Sequence, residues 1–276
     1  MADEIKGYKI FKTILSPIYR FWYNPKIIGK ENIPEEGPII LAGNHVHIMD
    51  QCNVVIVTKR YLHYMAKKEY FDNKKVAWFF KASGCIPVDR SKKDEEATSK
   101  ALEVLKNGNA LGIFPEGTRN GLKEERMKEL YEKYFLEDTI SEEEFCKKVK
   151  KNKTSFVNYL EELKDKEYIT KEEFKDNIFD VDSFLKDLIL NYRITKEEYY
   201  DHILLPLKFG AVSMAHKTNA RIVPYAITGD YKFRSKNLVV RIGEPFEVGD
   251  DLEKANEKLS KEIIRLMKEN EQESGK

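Results

Sequence analysis

Two histidines and an aspartate lie close together in GNHVHIMDQ, residues 43–51. His45 and Asp50 are five positions apart, and His45 comes three positions after the apolar run PIILA. If that run is a strand of an α/β sheet, His45 lies just beyond its carboxyl end, where such sheets bind ligands. A carboxylate on one imidazole nitrogen fixes the tautomer and leaves the other nitrogen free to take a proton from an alcohol. The spacing therefore predicts a His45–Asp50 pair that activates a hydroxyl group.

The same stretch admits two other interpretations. An H-x4-D spacing also arises by chance, and it then marks only a polar turn. His47 could complete a metal site with His45 and Asp50, but no further motif supplies ligands, since the remaining histidines stand alone in the sequence. No G-x-S-x-G elbow, P-loop or G-x-G-x-x-G fingerprint is present, so the sequence does not indicate a serine hydrolase or those nucleotide sites. We expect no metal ion and no bound cofactor.

Two later blocks supply groups suited to a phosphate. GCIPVDR ends at Arg90, and FPEGTRN contains Glu116 and Arg119 in a turn after a strand candidate. Guanidinium groups bind phosphate through paired hydrogen bonds. Glu116 can accept hydrogen bonds from a polyol or hold an arginine in place. A base beside two arginines predicts a phosphorylated alcohol as substrate.

The elements that must position these groups are strands alternating with helices. Strand candidates are PIILAG, YLHYMA, GCIPVD and ALGIFPEG, followed after residue 202 by a strand at about 221–227 and one or two strands in NLVVRIGEPFEV. Helices are expected at 94–108, about 209–217 and about 251–270. The alternation predicts an α/β fold, a layered core whose mixed, mostly parallel sheet is flanked by helices.

Residues 121–202 interrupt this pattern and predict an all-helical insertion. Three similar units start at 139, 168 and 193, each with Ser or Thr followed three positions later by Glu, the capping-box pattern. The units resemble the helical hairpins called SHOCT domains. No D-x-[DN]-x-[DN]-G loop precedes them, so calcium binding is not indicated. The insertion is either a solvated helical module or a docking surface for a partner or for lipid.

The first residues of the chain have an amphipathic helical pattern. Apolar residues recur with helical period over 8–23, with Lys9, Lys12 and Arg20 between them. Ser16–Pro17 predicts a break into two short helices, because Ser caps helices and Pro favours the first helical position. Such helices either lie at a membrane interface, with basic groups at anionic headgroups, or pack on their own domain.

Composition limits the class of protein. The chain has 276 residues, of which 41% are hydrophobic, enough for a buried core. Lys plus Arg (48) and Asp plus Glu (47) nearly cancel, so we expect no nucleic-acid partner. Three cysteines without C-x-x-C spacing favour a reducing compartment. No apolar run approaches the roughly 18 residues of a membrane span.

The ordered blocks N-H-x4-D, G-x-I-x-V-D-R, F-P-E-G-T-R and IVPYAITG resemble the glycerophospholipid acyltransferases, in particular the PlsC family of 1-acylglycerol-3-phosphate acyltransferases. The resemblance covers roughly residues 27–120 and 203–250. In that family the histidine is the general base and the aspartate orients it, which implies these roles for His45 and Asp50. The hydroxyl then attacks an acyl thioester directly, without an acyl-enzyme.

The resemblance also implies the substrates and their site. A fatty acyl group moves from acyl carrier protein or coenzyme A to the free hydroxyl of lysophosphatidate, giving phosphatidate. The implied location is cytoplasmic, peripheral on the inner face of the cell membrane, with the lipid surface as a partner. The implied substrate-binding residues are Glu116, Gly117, Arg119, Arg90, Lys67 and Pro224. The chain departs from the family at His47, where Ser or Thr is usual, and by its insertion after EGTRN.

The predicted domains are membrane-interface helices at 1–26, an acyltransferase core at 27–120 and 203–276, and the helical repeat insertion at 121–202. Two alternatives stay open. One is an acyltransferase that uses another acceptor, such as glycerol 3-phosphate or a lysophospholipid. The other is a non-catalytic peripheral lipid-binding protein whose helical repeats recruit partners.

Overall fold

A mixed sheet carries the α/β core. The computed structural model describes residues 2–89, 91, 94–152 and 154–274. The strands among them are β1 (Lys26–Ile28), β2 (Ile39–Gly43), β3 (Leu62–Lys67), β4 (Ile86–Val88), β5 (Ala110–Ile113), β6 (Arg221–Thr228) and β7 (Val239–Ile242). Their order is β1-β7-β6-β2-β5-β3-β4, and neighbouring strands are parallel except β6 and β7. The predicted mixed, mostly parallel sheet is confirmed.

The central strands are apolar because helices cover the sheet. All five residues of β2 are buried, as are the six inner residues of β6. Parallel strands covered on both faces have continuous apolar runs, whereas strands with one wet face alternate. The core around these two strands includes Ile39, Leu41, Val54, Leu62, Val223 and Val240.

The helices frame the sheet and form the insertion. The α-helices of the described residues are α1 (Ala2–Tyr23), α2 (Asp50–Val57), α3 (Glu69–Asp72), α4 (Ala77–Ala82), α5 (Glu95–Lys106), α6 (Asn120–Tyr131), α7 (Glu142–Asn152), α8 (Ser155–Asp165), α9 (Lys171–Asn177), α10 (Val181–Leu190), α11 (Lys196–Asp201), α12 (Gly210–Thr218) and α13 (Leu252–Ser274). A 3-10 helix at Lys30–Asn32 and a π-helix at Glu132–Leu136 are also present. The predicted helices correspond to α5, α12 and α13. The sequence patterns did not predict α3, α4 or the edge strand β1.

The described chain divides into two compact units. The first contains the residues up to Asn44, Ile48–Pro115, and the residues from Lys208 on; the second contains His45–His47 and Glu116–Leu207. The sheet lies in the first unit, and helices α6–α11 lie in the second. The two units are distinguished by their compactness and do not test the predicted domain boundaries at residues 26, 120 and 203, which stay a prediction.

The N-terminal segment is one continuous helix, and the predicted break at Ser16–Pro17 is wrong. Pro17 removes one main-chain hydrogen bond from a helix interior. Contacts with α2 hold α1 on both sides of this point. Lys12 Nζ donates to the Thr58 carbonyl, and Arg20 donates to the Ile56 carbonyl at 2.8 Å. Both carbonyls lie at the C-terminal end of α2, where cations are favourable.

The outer face of α1 is apolar. Tyr8 and Tyr19 face the interior and are 6% and 7% exposed. A helix of a soluble domain normally buries its aliphatic residues, but those of α1 face outward. The exposed residues, which we call the apolar face of α1, are Ile10, Ile14, Leu15, Ile18, Phe21 and Trp22, each 45–60% exposed. Phe233 lies beside this face, with its ring centroid 5.0 Å from that of Trp22. No described helix is both long enough and apolar enough to cross a bilayer.

The second unit has its own core, and its helices start where the repeats predicted. Thr170 with Glu173, and Thr195 with Glu198, form complete capping boxes at α9 and α11. In the first repeat the Glu144 N–H donates to Ser141 Oγ at 3.3 Å. The core contains Phe156, Leu160, Phe174, Leu185, Tyr199 and Tyr200.

Candidate active site

The main chain of His45 is held by the carboxylate of Glu116. His45 comes two residues after β2, and its N–H donates to Glu116 Oε1 at 2.8 Å. Glu116 Oε2 accepts from the Leu205 N–H at 3.0 Å, and the Glu116 side chain is almost completely buried. Both oxygens therefore hold main-chain groups, a role that the spacing of the motif did not predict. The predicted contact of Glu116 with substrate stays a prediction.

The carbonyl of His45 is also held in place. It accepts from the Asn120 N–H at 2.7 Å, and Asn120 Nδ2 donates to the Ile203 carbonyl at 3.1 Å. Gly117 lies between Glu116 and Asn120 with φ +72°, a left-handed conformation that residues with a Cβ rarely adopt. The EGTRN turn thus fixes the His45 backbone at both its N–H and its C=O and leaves the imidazole out of these bonds.

Asn44 fixes the end of β2 within the first unit. Regular pairing with β6 ends at Gly43 opposite Tyr225, where an added Cβ would lie 2.4 Å from the Tyr225 ring. Beyond it, Asn44 Nδ2 donates to the Ile227 carbonyl and Asn44 Oδ1 accepts from the Ile227 N–H, both at 2.8 Å. The buried amide therefore replaces a pair of ladder hydrogen bonds. From the sequence, Asn44 was recognisable only as part of the N-H-x4-D motif, with no predicted structural role.

Asp50 is fully buried at the first position of α2 and ends a chain of hydrogen bonds. The Tyr231 hydroxyl donates to Asp50 Oδ1, and Asn53 Nδ2 donates to Tyr231 Oη at 2.7 Å. The Tyr19 hydroxyl donates to Asn53 Oδ1 at 3.1 Å. We call this series the Tyr19–Asp50 chain. The sequence offered no signal for it, because Tyr231 follows Asp50 by 181 positions.

The groups around Asp50 keep their protons at neutral pH. Burial, and then the charge of Asp50, raises the pKa of Tyr231 well above its ordinary value. Burial likewise raises the pKa of Tyr19. Burial, with a contribution from Asp50, raises the pKa of Cys52 to about 11. Cys52 is thus a thiol and a poor nucleophile at pH 7, and both tyrosines remain hydroxyl donors.

The remaining predicted basic residues have different surroundings. Arg119 is half-buried directly before α6, whose first N–H groups attract anions. Lys67 ends β3, and its Nζ lies 2.6 Å from a carboxylate oxygen of Glu69; both side chains are largely exposed, so the pair is weak. That hydrogen bond lowers the pKa of Glu69. Arg90 lies outside the described residues.

Pro224 is buried inside β6, opposite Ala42 of β2. Its carbonyl accepts from the Gly243 N–H at 2.8 Å, which joins β6 to the end of β7. The structure thus shows a place in the sheet for Pro224, and its predicted contribution to the acyl site stays a prediction. Among the described side chains, no group of three or more His, Cys, Asp or Glu is arranged to hold a metal ion.

The structure assigns the predicted site residues to both units. His45, Glu116, Gly117 and Arg119 belong to the second unit, where the Glu116–His45 bond joins two of the sequence blocks. Asp50, Lys67 and Pro224 belong to the first unit.

Several proteins of known name are similar in sequence. One is the 1-acyl-sn-glycerol-3-phosphate acyltransferase of Bacillus subtilis (strain 168), 34% identical over 113 residues, which are 41% of this chain and 57% of that protein. The enzymes of the same name from Borreliella burgdorferi and Saccharomyces cerevisiae are 33% and 36% identical over 96 and 98 residues. These matches cover 34% of this chain in both cases, and 38% and 32% of the relatives. The chain thus spans less than two thirds of the length of these relatives.

The fold and a family model agree with this similarity. The crystal structure of the 1-acyl-sn-glycerophosphate acyltransferase PlsC from Thermotoga maritima superposes with a TM-score of 0.55 at 17% identity, covering 98% of this chain and 83% of that one. At this identity the likeness shows the fold alone. The family model described as Acyltransferase matches residues 24–228. Because that match extends over more than half of the sequence, the chain belongs to the acyltransferase family.

Proposed function

We propose that this protein is a 1-acylglycerol-3-phosphate acyltransferase, which transfers a fatty acyl group from acyl carrier protein or coenzyme A to lysophosphatidate. The observation that carries the proposal is the hydrogen bond between Glu116 and the His45 main chain. It joins the N-H-x4-D and F-P-E-G-T-R blocks, the two blocks to which the family resemblance assigns the base and the phosphate contact. The names of the similar proteins support the same acceptor.

In the proposed reaction His45 is the general base and Asp50 orients its imidazole. His45 takes the proton of the acceptor hydroxyl while that oxygen forms a bond to the thioester carbonyl carbon. The carbon–sulfur bond then breaks, and the proton passes from His45 to the departing thiolate. One ester bond forms as one thioester bond is lost. The buried, hydrogen-bonded carboxylate of Asp50 and the fixed main chain of His45 both support this assignment.

The acceptor phosphate is proposed to bind Arg119 beside the N-terminus of α6, because a guanidinium and the positive end of a helix dipole both favour an anion. Arg90 and Lys67 are proposed as further phosphate contacts. Glu116 and Gly117 shape the same turn, and Pro224 is proposed to contribute to the acyl or thioester site. The reaction uses the acyl thioester as co-substrate and needs no bound cofactor.

The protein is proposed to act at the inner face of the cell membrane, on the cytoplasmic side. The apolar face of α1 supports this, since burying such residues in the acyl boundary is favourable. The basic residues of this region contribute less to the proposed contact with lipid headgroups than the sequence suggested, because three of them bind other groups of the protein. Lys12 and Arg20 donate to carbonyls of α2, and Lys26 pairs with Glu273.

The proposal is tested by acyl transfer from labelled palmitoyl thioesters of acyl carrier protein and of coenzyme A to lysophosphatidate. Wild type should form phosphatidate, and His45→Ala should lose about 10²- to 10⁴-fold of the turnover, the range for a lost general base. His47→Ala is the matched control, an imidazole removed two positions away, and it should stay within about tenfold of wild type.

Other outcomes distinguish the alternatives. Transfer to glycerol 3-phosphate or to lysophosphatidylcholine in place of lysophosphatidate would identify an acyltransferase with another acceptor. Vesicle binding without transfer from either thioester to any acceptor would reject the enzyme and favour the lipid-binding protein. Equal losses in His45→Ala and His47→Ala would reject His45 as the specific base.

A further inference from the structure

The Asp50 carboxylate is held by side chains that the proposed mechanism does not use. Tyr231 donates to Asp50 Oδ1, and Asn53 and Tyr19 continue the series away from the carboxylate. All four residues lie in the first unit. A carboxylate bound at one oxygen by a hydroxyl cannot rotate about its Cβ–Cγ bond without losing that hydrogen bond.

The Tyr19–Asp50 chain has one direction. The Tyr19 hydroxyl donates to the Asn53 oxygen, the Asn53 amide donates to Tyr231, and Tyr231 donates to Asp50. Because the Tyr231 hydroxyl spends its proton on Asp50, its oxygen can only accept from Asn53, and the Asn53 oxygen is left to accept from Tyr19. Asn53 and Asp50 are fully buried, and leaving any member of a buried series unpaired is costly. The chain therefore favours a single orientation of the carboxylate.

Three separate segments contribute to the chain. Tyr19 comes from α1, Asn53 from α2, and Tyr231 from the loop at 229–238 that joins β6 to β7. That loop is fixed on α1, because the Arg234 N–H donates to the Trp22 carbonyl at 2.6 Å. The Tyr231 ring also packs edge-on against Tyr23, with centroids 5.6 Å apart. The position of the Tyr231 hydroxyl is thus set by α1 as well as by its own loop.

We propose that Tyr231 is a positioning residue for the acyl transfer: its hydroxyl holds the Asp50 carboxylate in the orientation that the imidazole needs, and Asn53 and Tyr19 hold that hydroxyl. This rests on the proposed function, in which Asp50 orients His45. It also gives α1 a second role. The helix with the apolar face supplies the first donor of the series that ends at Asp50.

The test is the kinetics of Tyr231→Phe with lysophosphatidate and a palmitoyl thioester. Turnover, kcat, should fall on the order of tenfold, because a small misplacement of a catalytic group is expensive. KM for both substrates should stay unchanged, since Tyr231 acts through Asp50 and not on substrate. Tyr8→Phe is the control and should leave kcat unchanged: Tyr8 is a buried tyrosine of α1 whose hydroxyl donates to the Arg60 carbonyl at 3.4 Å, outside the Tyr19–Asp50 chain.

A double-mutant cycle separates positioning from general damage. In an Asp50→Ala background, Tyr231→Phe should change kcat no further, because the group to be positioned is gone. An equal loss in both backgrounds would overturn the proposal, and so would a Tyr231→Phe enzyme with unchanged kcat. If Tyr231→Phe unfolds, Tyr19→Phe replaces it in the same cycle, with a smaller loss expected.

The outcome also separates this proposal from the proposed function. A wild-type protein that acylates no acceptor rejects the proposed function, and the positioning role falls with it. An active wild type that is matched by Tyr231→Phe and Tyr19→Phe rejects the positioning role alone. A ¹³C signal at Tyr231 Cζ that shifts in Asp50→Ala, but not in Asp94→Ala, would show the Tyr231–Asp50 bond in solution without depending on turnover.

Discussion

Glu116 Oε1 accepts the main-chain N–H of His45 at 2.8 Å across a sequence separation of 71 residues. The other oxygen of the carboxylate accepts the Leu205 N–H. Because this hydrogen bond is made to the backbone of His45, the position of the histidine can be perturbed while its imidazole is kept.

Glu116→Gln should destabilise the protein without removing the imidazole. An amide has one acceptor oxygen, so its NH₂ group would face one of the two main-chain N–H groups. The free energy of unfolding should fall by about 1–3 kcal/mol, the cost of leaving a buried donor unsatisfied. Urea unfolding checks this. The control is Glu35→Gln, which loses only an exposed pair with Lys59 and should change stability by no more than about 0.5 kcal/mol. Equal stability of Glu116→Gln and wild type would show that the two hydrogen bonds from the His45 and Leu205 N–H groups to Glu116 do not stabilise the fold.

Asn44→Asp should be destabilising although it is nearly isosteric. The carboxylate can accept from the Ile227 N–H but cannot donate to the Ile227 carbonyl, and it adds a charge at a buried position. The expected loss is about 1–3 kcal/mol in urea unfolding. Asn73→Asp serves as control, because Asn73 is exposed and its side-chain oxygen accepts from the Lys75 N–H, a bond that an aspartate can also accept. If both variants lose the same free energy of unfolding, the two hydrogen bonds between the Asn44 amide and Ile227 contribute no more to stability than an exposed hydrogen bond does.

Substitutions on the apolar face of α1 should weaken vesicle binding and leave folding intact. Ile14→Glu and Trp22→Glu each remove an exposed side chain whose burial in lipid is worth about 1.5–3 kcal/mol, so binding to anionic vesicles should fall on the order of tenfold or more. Flotation with phosphatidylglycerol-containing vesicles measures the bound fraction.

The control for that experiment is Leu190→Glu, which changes a side chain that is 74% exposed in the second unit. It should bind vesicles like wild type. If Leu190→Glu alone loses binding, the lipid contact lies on the helical insertion and the proposal for α1 is wrong.

The pair of Arg193 and Glu173 should make part of the stability depend on pH. The hydrogen bond from Arg193 lowers the pKa of Glu173 from 4.5 to about 2. A lowered pKa in the folded state stabilises above the unfolded value, so this contribution should be complete above about pH 5 and vanish as the pH falls toward 2. Both side chains are about one third exposed, so the contribution should not exceed about 1 kcal/mol.

The measurement for this pair is urea unfolding of wild type and Arg193→Met between pH 2 and pH 7. The two curves should be separated at neutral pH and converge at low pH. Lys166→Met, which breaks the exposed pair with Glu162, is the control and should show a smaller separation. Curves that stay parallel down to pH 2 would show that Glu173 is not the responsible group.

The order of the chemical blocks, the alternation of strands with helices and the helical insertion could all be predicted from the sequence. The apolar runs of β2 and β6 are continuous because both strands lie inside a covered sheet, and that burial is visible in residue types alone. The capping boxes at Thr170 and Thr195 are local too, since each needs only a residue three positions away.

The predictions that failed or were missing depended on distant residues. Ser16–Pro17 has the local signal of a helix break, yet α1 continues because Lys12 and Arg20 bind the end of α2. The short edge strand β1 has little pattern of its own and exists because it pairs with β7.

The sequence by itself determined which residues are the candidates for the chemistry, since His45, Asp50 and the EGTRN turn are recognisable by type and spacing. Only the tertiary structure decided how they are held. Glu116 binds the His45 main chain, and Tyr231 reaches Asp50 from a loop 181 positions later. Such hydrogen bonds join residues that the packing of the sheet and its helices brings together, and no spacing in the sequence encodes them.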